Sequence, residues 1–277
     1  MHQTLSASVS RSVIALLTDF GLGDGNVGVM KGVIAGIALD ARIIDITHDI
    51  APQNIAAGAW VLASSYRYFP SGTVFVCVVD PGVGSTRSAI AVHAGTCFFV
   101  GPDNGLFSYI YAEQPTHEAV ILNNSAYHLP HISSTFHGRD IFAPVGAYLA
   151  NGVALRELGE QVEPTMLQRL DVRPPVRNGS HVEAYILHID HFGNLITNIP
   201  LRLVPDVFTR SHVQLSFPTI DRVVERRRRF FAEGSDLQPF IYADSSGNLG
   251  VAVQNGNAAQ TLGVSVKDSV RLDLFES

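Results

Sequence analysis

The sequence predicts an α/β fold with a central, largely parallel sheet, followed by a smaller all-β region. Three observations carry this. Up to residue 79 the chain alternates short apolar runs with helical periods, and strands joined through helices pair in parallel. Beyond residue 180 the texture changes to short β-type runs between turns, without a long helical period. Between the two lies Asp171–Ser180, a polar stretch with two prolines and a glycine.

The elements follow in order. Val13-Ile-Ala-Leu-Leu17 reads as a buried strand, and the turn Gly21-Leu-Gly-Asp-Gly25 follows it. Asn26 to Leu39 reads as a helix with Val29, Val33, Ile34 and Ile37 on one face. Arg42–Ile46 is a second strand, Ile55–Tyr68 a second helix, and Thr73–Val79 a third strand. Ala89–Val92 and Cys97–Val100 continue the sheet. His137–Ala150 reads as another helix that Pro144 either kinks or restarts. The later strands are Val182–Ile189, Val213–Phe217, Pro239–Ala243, Leu249–Val253 and Ser269–Leu274, a spacing that suits a small barrel or a sandwich. The boundaries are an N-terminal domain over 1–172, a linker over 173–180 and a C-terminal domain over 181–277.

Composition narrows the function classes. With 46% hydrophobic and 16% charged residues, the chain has material for sizeable cores and no signature of disorder. A net charge of −6 opposes broad nucleic-acid binding. The run Arg226–Arg229 stands apart and reads as a solvated loop, because no basic or aromatic residues extend it. The two cysteines, Cys77 and Cys97, sit in apolar runs and read as buried thiols. The stretch Met1–Ser12 lacks the apolar centre of a signal peptide, and no run reaches the ~18 apolar residues of a membrane span. Together these predict a soluble cytoplasmic protein that binds neither nucleic acid nor membrane.

The chemistry concentrates at strand ends. Asp80-Pro-Gly-Val-Gly-Ser-Thr-Arg87 follows the third strand, and Phe136-His-Gly-Arg-Asp140 supplies a histidine. Asp80, Arg87 and His137 form a candidate reactive group. A nearby cation keeps a carboxylate ionised, and an imidazole can hold or accept a proton from a shared water. The plain alternative is a structural salt bridge beside a core histidine. Asp19, at the end of the first strand, lies where open α/β sheets bind ligands; it can accept two bonds from a ribose diol, or cap a turn. Gly23-Asp-Gly-Asn-Val-Gly28, with Asp45 further on, matches a dinucleotide fingerprint. Asp19 and Asp24 beside that loop would repel a pyrophosphate. The other histidines lack helical metal-ligand spacing, although a metal hydrolase built on Asp19, Asp24, His48 and His137 stays open. Asp190-His-Phe-Gly-Asn194 offers a carboxylate, a ring and an amide, suited to an amine and a purine or else to a plain hairpin. Asp244-Ser-Ser-Gly-Asn248 is a turn.

Taken together, these motifs resemble the S-adenosylmethionine hydroxide adenosyltransferase family, the hydrolytic relatives of fluorinase and chlorinase. The resemblance runs from Leu17-Thr-Asp-Phe-Gly21 to Asn255-Gly-Asn-Ala-Ala259 and includes Gly101-Pro-Asp-Asn-Gly-Leu106. It implies an N-terminal α/β domain and a C-terminal β-barrel-like domain. It also implies a homotrimer with the site between one subunit's N-terminal domain and a neighbour's C-terminal domain. The implied reaction is attack of water or hydroxide on C5′ of S-adenosylmethionine, giving adenosine and methionine, with no cofactor and no metal. The water-handling triad falls on Asp80, Arg87 and His137. Asp19 falls on the ribose diol, Asp24 and Asp190 on the methionine ammonium, and Ser245 on its carboxylate. Phe192, Asn194 and Phe231 fall around adenine. The triad and the short Arg87–Gly101 segment favour hydrolysis over halide transfer. A nucleoside-binding module without turnover and a nicotinamide oxidoreductase are the remaining alternatives.

Overall fold

The computed structural model describes residues 12–231, 233 and 237–275. The reading of the first residues as free of a leader falls on residues 1–11, outside the described residues. The chain divides into two compact units, one ending at Asp171 and the other beginning at Val172.

In the first unit the element order is β1 (Val13–Thr18), α1 (Asn26–Ile37), β2 (Arg42–Thr47), α2 (Ile55–Ser65), β3 (Val74–Val78), β4 (Ala89–Ala94) and β5 (Cys97–Pro102). Then come α3 (Ser108–Glu113), β6 (Thr116–Ile121), α4 (Ala143–Ala150) and β7 (Glu160–Gln161). The seven strands form one sheet in the order β2-β1-β3-β5-β4-β6-β7. From β2 to β5 neighbours run parallel, and beyond β5 they are antiparallel.

Side chains alternate across each strand, so β1 feeds two cores. Ile14 and Leu16 pack with Met30, Ile34, Phe142 and Val145 beneath α1 and α4. Ala15 and Leu17 pack with Leu62, Phe75, Cys77 and Phe107 beneath α2 and α3. Both cysteines are free and buried, as expected. One assignment on α1 is corrected: Val29 is 44% exposed, and Met30 takes the buried position. This helix carries Gly28, Gly32 and Gly36 among its apolar residues, so its sequence defines no sharp apolar face.

The expected helix from His137 resolves into two pieces. Gly138–Phe142 is a single π-helical turn, and α4 starts at Ala143 with Pro144 in its first turn. Proline has no N–H to offer the preceding turn. The Asp140 carbonyl instead accepts from the Leu129 N–H at 2.9 Å.

The second unit holds β8 (Val176–Asn178), β9 (His181–Ile189), β10 (Leu195–Pro200), β11 (Val213–Phe217), β12 (Arg222–Val224), β13 (Phe240–Ala243), β14 (Asn248–Ala252), α5 (Ala258–Leu262) and β15 (Ser269–Leu274). β8 lies inside the stretch read as a linker and pairs with β9. The main path is β12-β11-β15-β9-β10-β14-β13. A parallel bridge from Arg227, just past β12, to Ile241 on β13 brings the two edges together. The sheet is thereby nearly closed, which decides for a barrel over a sandwich. Val182, Ile186, Leu215, Phe217, Leu249 and Leu272 are among its fully buried filling.

The arginine run is not a solvated loop throughout. Arg227 donates to the carbonyls of Val207, Arg210 and Ser211 at 2.6–3.2 Å. Arg228 is 6% exposed, with its guanidinium 4.5 Å from the Phe240 ring centroid. Arg226 and Arg229 are exposed. Arginine can bury like this because its planar head stacks on rings and its donors satisfy several carbonyls at once.

Candidate active site

In the sheet of the first unit the direction of travel reverses at β1. The chain goes from β1 to β2 on one side and to β3 on the other. Ligands of open α/β sheets bind outside the carboxyl ends of strands at such a switch point. Thr18 pairs with Val78 in the parallel register, so Asp19 and Asp80 emerge at the same sheet edge.

Asp80 and Arg87 form a bidentate pair. Arg87 Nε lies 2.9 Å from Oδ1 and 3.0 Å from Oδ2, and Nη2 also donates to Oδ2. The side chains are only 4% and 11% exposed, so the pair is little screened by solvent. Arg87 Nη2 also lies 2.7 Å from His137 Nδ1. A guanidinium only donates, so Nδ1 is the acceptor and the imidazole proton sits on Nε2. Burial, and then the Arg87 charge, hold the His137 pKa below its ordinary value, which favours this neutral form. The three residues read from the sequence as one group are thus one hydrogen-bonded chain, with Arg87 in the middle.

The loops around this group interlock. Gly84 has φ +75°, and a Cβ there would lie 2.2 Å from the Ser134 carbonyl oxygen. The Asp80–Arg87 loop can therefore lie against the segment leading to His137 only with glycine at that position. Phe136 meets Phe20 edge-on at 5.7 Å and also carries the Arg139 guanidinium. Arg139 in turn pairs with the buried Asp140, which fixes the turn carrying His137. Burial pushes the Asp140 pKa up, but the Arg139 pairing and the Ser133 N–H are among the contacts that together outweigh it and hold the carboxyl below its ordinary value.

Asp19 accepts the Gln53 N–H at 2.7 Å through Oδ2. Gln53 itself has φ +64°. Asp24 is exposed just before α1. Asp45 is engaged by Lys31 at 2.6 Å and by His48 at 3.1 Å. Among the described residues no cluster of three or more His, Cys, Asp or Glu side chains is placed to hold a metal ion.

In the second unit a cleft of about 430 Å³ is lined by Phe192, Asn194, Phe231, Val253, Asn255 and Gly256. It brings together the three residues assigned to adenine. Asp190 holds the β9–β10 hairpin, accepting the N–H groups of Phe192 and Asn194 on Oδ1 and the Asn194 amide on Oδ2, all at 2.8–2.9 Å. Phe192 is 72% exposed, whereas Asn194 is buried. Gly193 has φ +82°, and a Cβ there would lie 2.1 Å from Asn257. Phe231 packs on Phe240 and Tyr242 at 5.8 and 5.1 Å. Ser245 is exposed in the β13–β14 turn, where Asp244 accepts from the Ser246 N–H and hydroxyl. The sequence reading assigned no role to Val253, Asn255 or Gly256. Val253 ends a strand read from the sequence, and Asn255 and Gly256 open the last motif of the family resemblance; the Asn-Gly pair is also a turn dipeptide, whose asparagine here has φ +51°.

Known proteins match this chain along almost its whole length. Family models for the SAM hydroxide adenosyltransferase N-terminal and C-terminal domains match residues 14–159 and 184–271. A Salinispora tropica protein named (R)-S-adenosyl-L-methionine hydrolase is 40% identical over 94% of this chain and 97% of its own. A fluorinase of Actinopolyspora mzabensis is more distant, 26% identical over 97% of this chain and 99% of its own. Among solved structures, an uncharacterized conserved protein from Thermotoga maritima superimposes with a TM-score of 0.88 at 34% identity, covering 94% of this chain and 99% of that one. The chain belongs to the SAM hydroxide adenosyltransferase family.

Proposed function

We propose that this enzyme hydrolyses S-adenosylmethionine to adenosine and methionine by direct attack of water on C5′. The observation that carries the reading is the Asp80–Arg87–His137 chain at the carboxyl edge of the sheet. Its polarity suits a water nucleophile. Asp80, paired with Arg87, accepts one water O–H. The His137 Nε2–H donates to the water oxygen and leaves a lone pair for carbon. The O–C5′ bond forms as the C5′–S bond breaks, and sulfur takes the electron pair. The released proton passes to solvent by way of the carboxylate. A neutral thioether is a good leaving group, so the protein's contribution is alignment, which is worth up to ~7–11 kcal/mol.

The remaining residues divide by chemistry. Asp19 keeps Oδ1 for the ribose diol, and Asp24 and Asp190 face the methionine ammonium, with Ser245 on the carboxylate. Phe192 and Phe231 sandwich adenine, and Asn194 reads its edge. Carboxylates also suit the positive sulfonium. The reaction calls on no cofactor. The active assembly is a homotrimer in which a neighbour's C-terminal domain completes each site. Two free buried thiols support a cytoplasmic location; among the described residues no helix is long and apolar enough to cross a membrane.

The test is turnover in ¹⁸O-water without halide, followed by mass spectrometry. Adenosine carrying ¹⁸O at the 5′ oxygen is the expected product. Ligand binding without adenosine would reject hydrolysis, and added chloride would then report halide transfer.

A further inference from the structure

The motif Gly101-Pro-Asp-Asn-Gly-Leu106 touches none of the groups assigned above, yet the sheet order puts it beneath the reactive loop. β5 lies between β3 and β4. The loop that leaves β3 with Asp80 and enters β4 after Arg87 must therefore cross the carboxyl end of β5. The Phe98 N–H meets the Thr73 carbonyl, and in that register the carbonyl of Val79, fully buried, falls opposite residue 104, whose own N–H turns back to the Pro102 carbonyl at 3.1 Å. Asn104 fills the gap: its Nδ2 donates to the Val79 carbonyl at 2.8 Å, while its Oδ1 accepts the Leu106 N–H at 3.2 Å. The amide orientation is fixed, because a flip would set donor against donor and acceptor against acceptor. On the other stem, the Asp103 N–H donates to the Ser88 carbonyl at 2.9 Å. Two consecutive residues thus hold the chain just before Asp80 and just after Arg87.

We infer that Asn104 is a positioning residue for the reaction: it sets the spacing of Asp80 and Arg87 by anchoring the stem that carries the carboxylate. The inference rests on the hydrolase reading. It concerns turnover and not affinity, since Asn104 lies under the loop and bonds only main chain. Displacing a reacting group by about 1 Å costs on the order of 10²-fold in rate.

The test compares Asn104→Asp with Asn104→Ala. The first is isosteric but turns an acceptor on the Val79 carbonyl. The second opens room for a water to replace the donor. The expected order is a kcat loss of about 100-fold for Asn104→Asp and about 10-fold for Asn104→Ala, the former anchored on that cost of misplacement. Kd for S-adenosylmethionine, by calorimetry, is expected to stay within about twofold. A packing role predicts the reverse order, with Asn104→Asp near wild type, and that result overturns the inference. Equal losses in kcat and affinity also overturn it. If Asn104→Asp does not fold, Asn104→Ala decides alone, and an unchanged kcat rejects the role. Wild-type protein assayed in parallel separates the two readings: no adenosine from wild type rejects the hydrolase, whereas active wild type with active variants rejects only the positioning role.

Discussion

In the first unit the polar groups of the candidate site are already bonded to one another before any ligand arrives. In the second, beside the bonded Asp190 and Asn194, stand two rings that face solvent. Asp80 and Arg87 are 4% and 11% exposed, while Phe192 and Phe231 are 72% and 43% exposed. On the proposed reaction, the contrast follows from what each group must supply. A water nucleophile gains from groups whose orientation cost was met during folding. A purine gains from apolar surface that leaves water only on binding, at roughly 25 cal/mol per Å². Substitutions in the Asp80–Arg87–His137 group should therefore fall on kcat, and those of the exposed rings on KM.

The sharpest way to break this division is Asp80→Ala. General acid–base partners contribute about 10²–10⁴-fold, so adenosine release should fall about 1,000-fold while calorimetric affinity changes less than about threefold. His137→Ala should behave alike with a smaller loss. Full activity in Asp80→Ala would remove the carboxylate from the reaction, and a matching loss of affinity would remove the division itself.

Phe192→Ala probes the other side. Stacking of a base on a ring is worth about 1–3 kcal/mol, so KM should rise roughly 5- to 150-fold at nearly constant kcat. A fall in kcat with unchanged KM would show that the exposed ring acts on chemistry.

How much of this was legible in the sequence differs between the units for the same physical reason. Asp80 and Arg87 lie seven positions apart on one loop, and β1, β2 and β3 are joined by helices, so local pattern placed them. Arg227 and Arg228 misled because their partners, the carbonyls of 207–211 and the Phe240 ring, come from segments that meet only when the barrel closes. Asn104 was unreadable for a related reason: its use depends on β5 inserting between β3 and β4, an order no local period encodes. Met30 was missed because α1, rich in glycine, is apolar on nearly every side.

The pH profile sharpens the comparison within the first unit. His137 is held below its ordinary value of 6.5, by burial and then by Arg87. Its neutral form is the one that accepts from Arg87, so protonation sets two cations against each other. The unfolded chain takes up this proton first, at about pH 6.5. The contribution to stability is therefore complete above 6.5 and is lost as pH falls from there through the folded-state value. kcat/KM should be flat from pH 7 upward from this group and decline only below 6.5, and His137→Ala should lose that acid limb. An acid limb that persists in His137→Ala would assign it to another group.

The smallest effect expected is for Arg228→Ala. The main-chain bond from the Arg228 N–H to the Ile241 carbonyl, 2.9 Å, survives any side chain, as does the bond from the Ile241 N–H to the Arg226 carbonyl. The barrel edges therefore stay joined. What goes includes the guanidinium over Phe240, the ring on which Phe231 rests edge-on, and the 3.5 Å bond to Gln254 Oε1. A cation over a ring is worth about 0.5–2 kcal/mol, and only the share that reaches Phe231 bears on the cleft. KM should rise a few-fold at constant kcat, less than for Phe192→Ala. A larger rise than in Phe192→Ala would mean that the arginine orders the whole segment up to Phe231, and the division between the two units would then rest on barrel closure and not on the exposed rings.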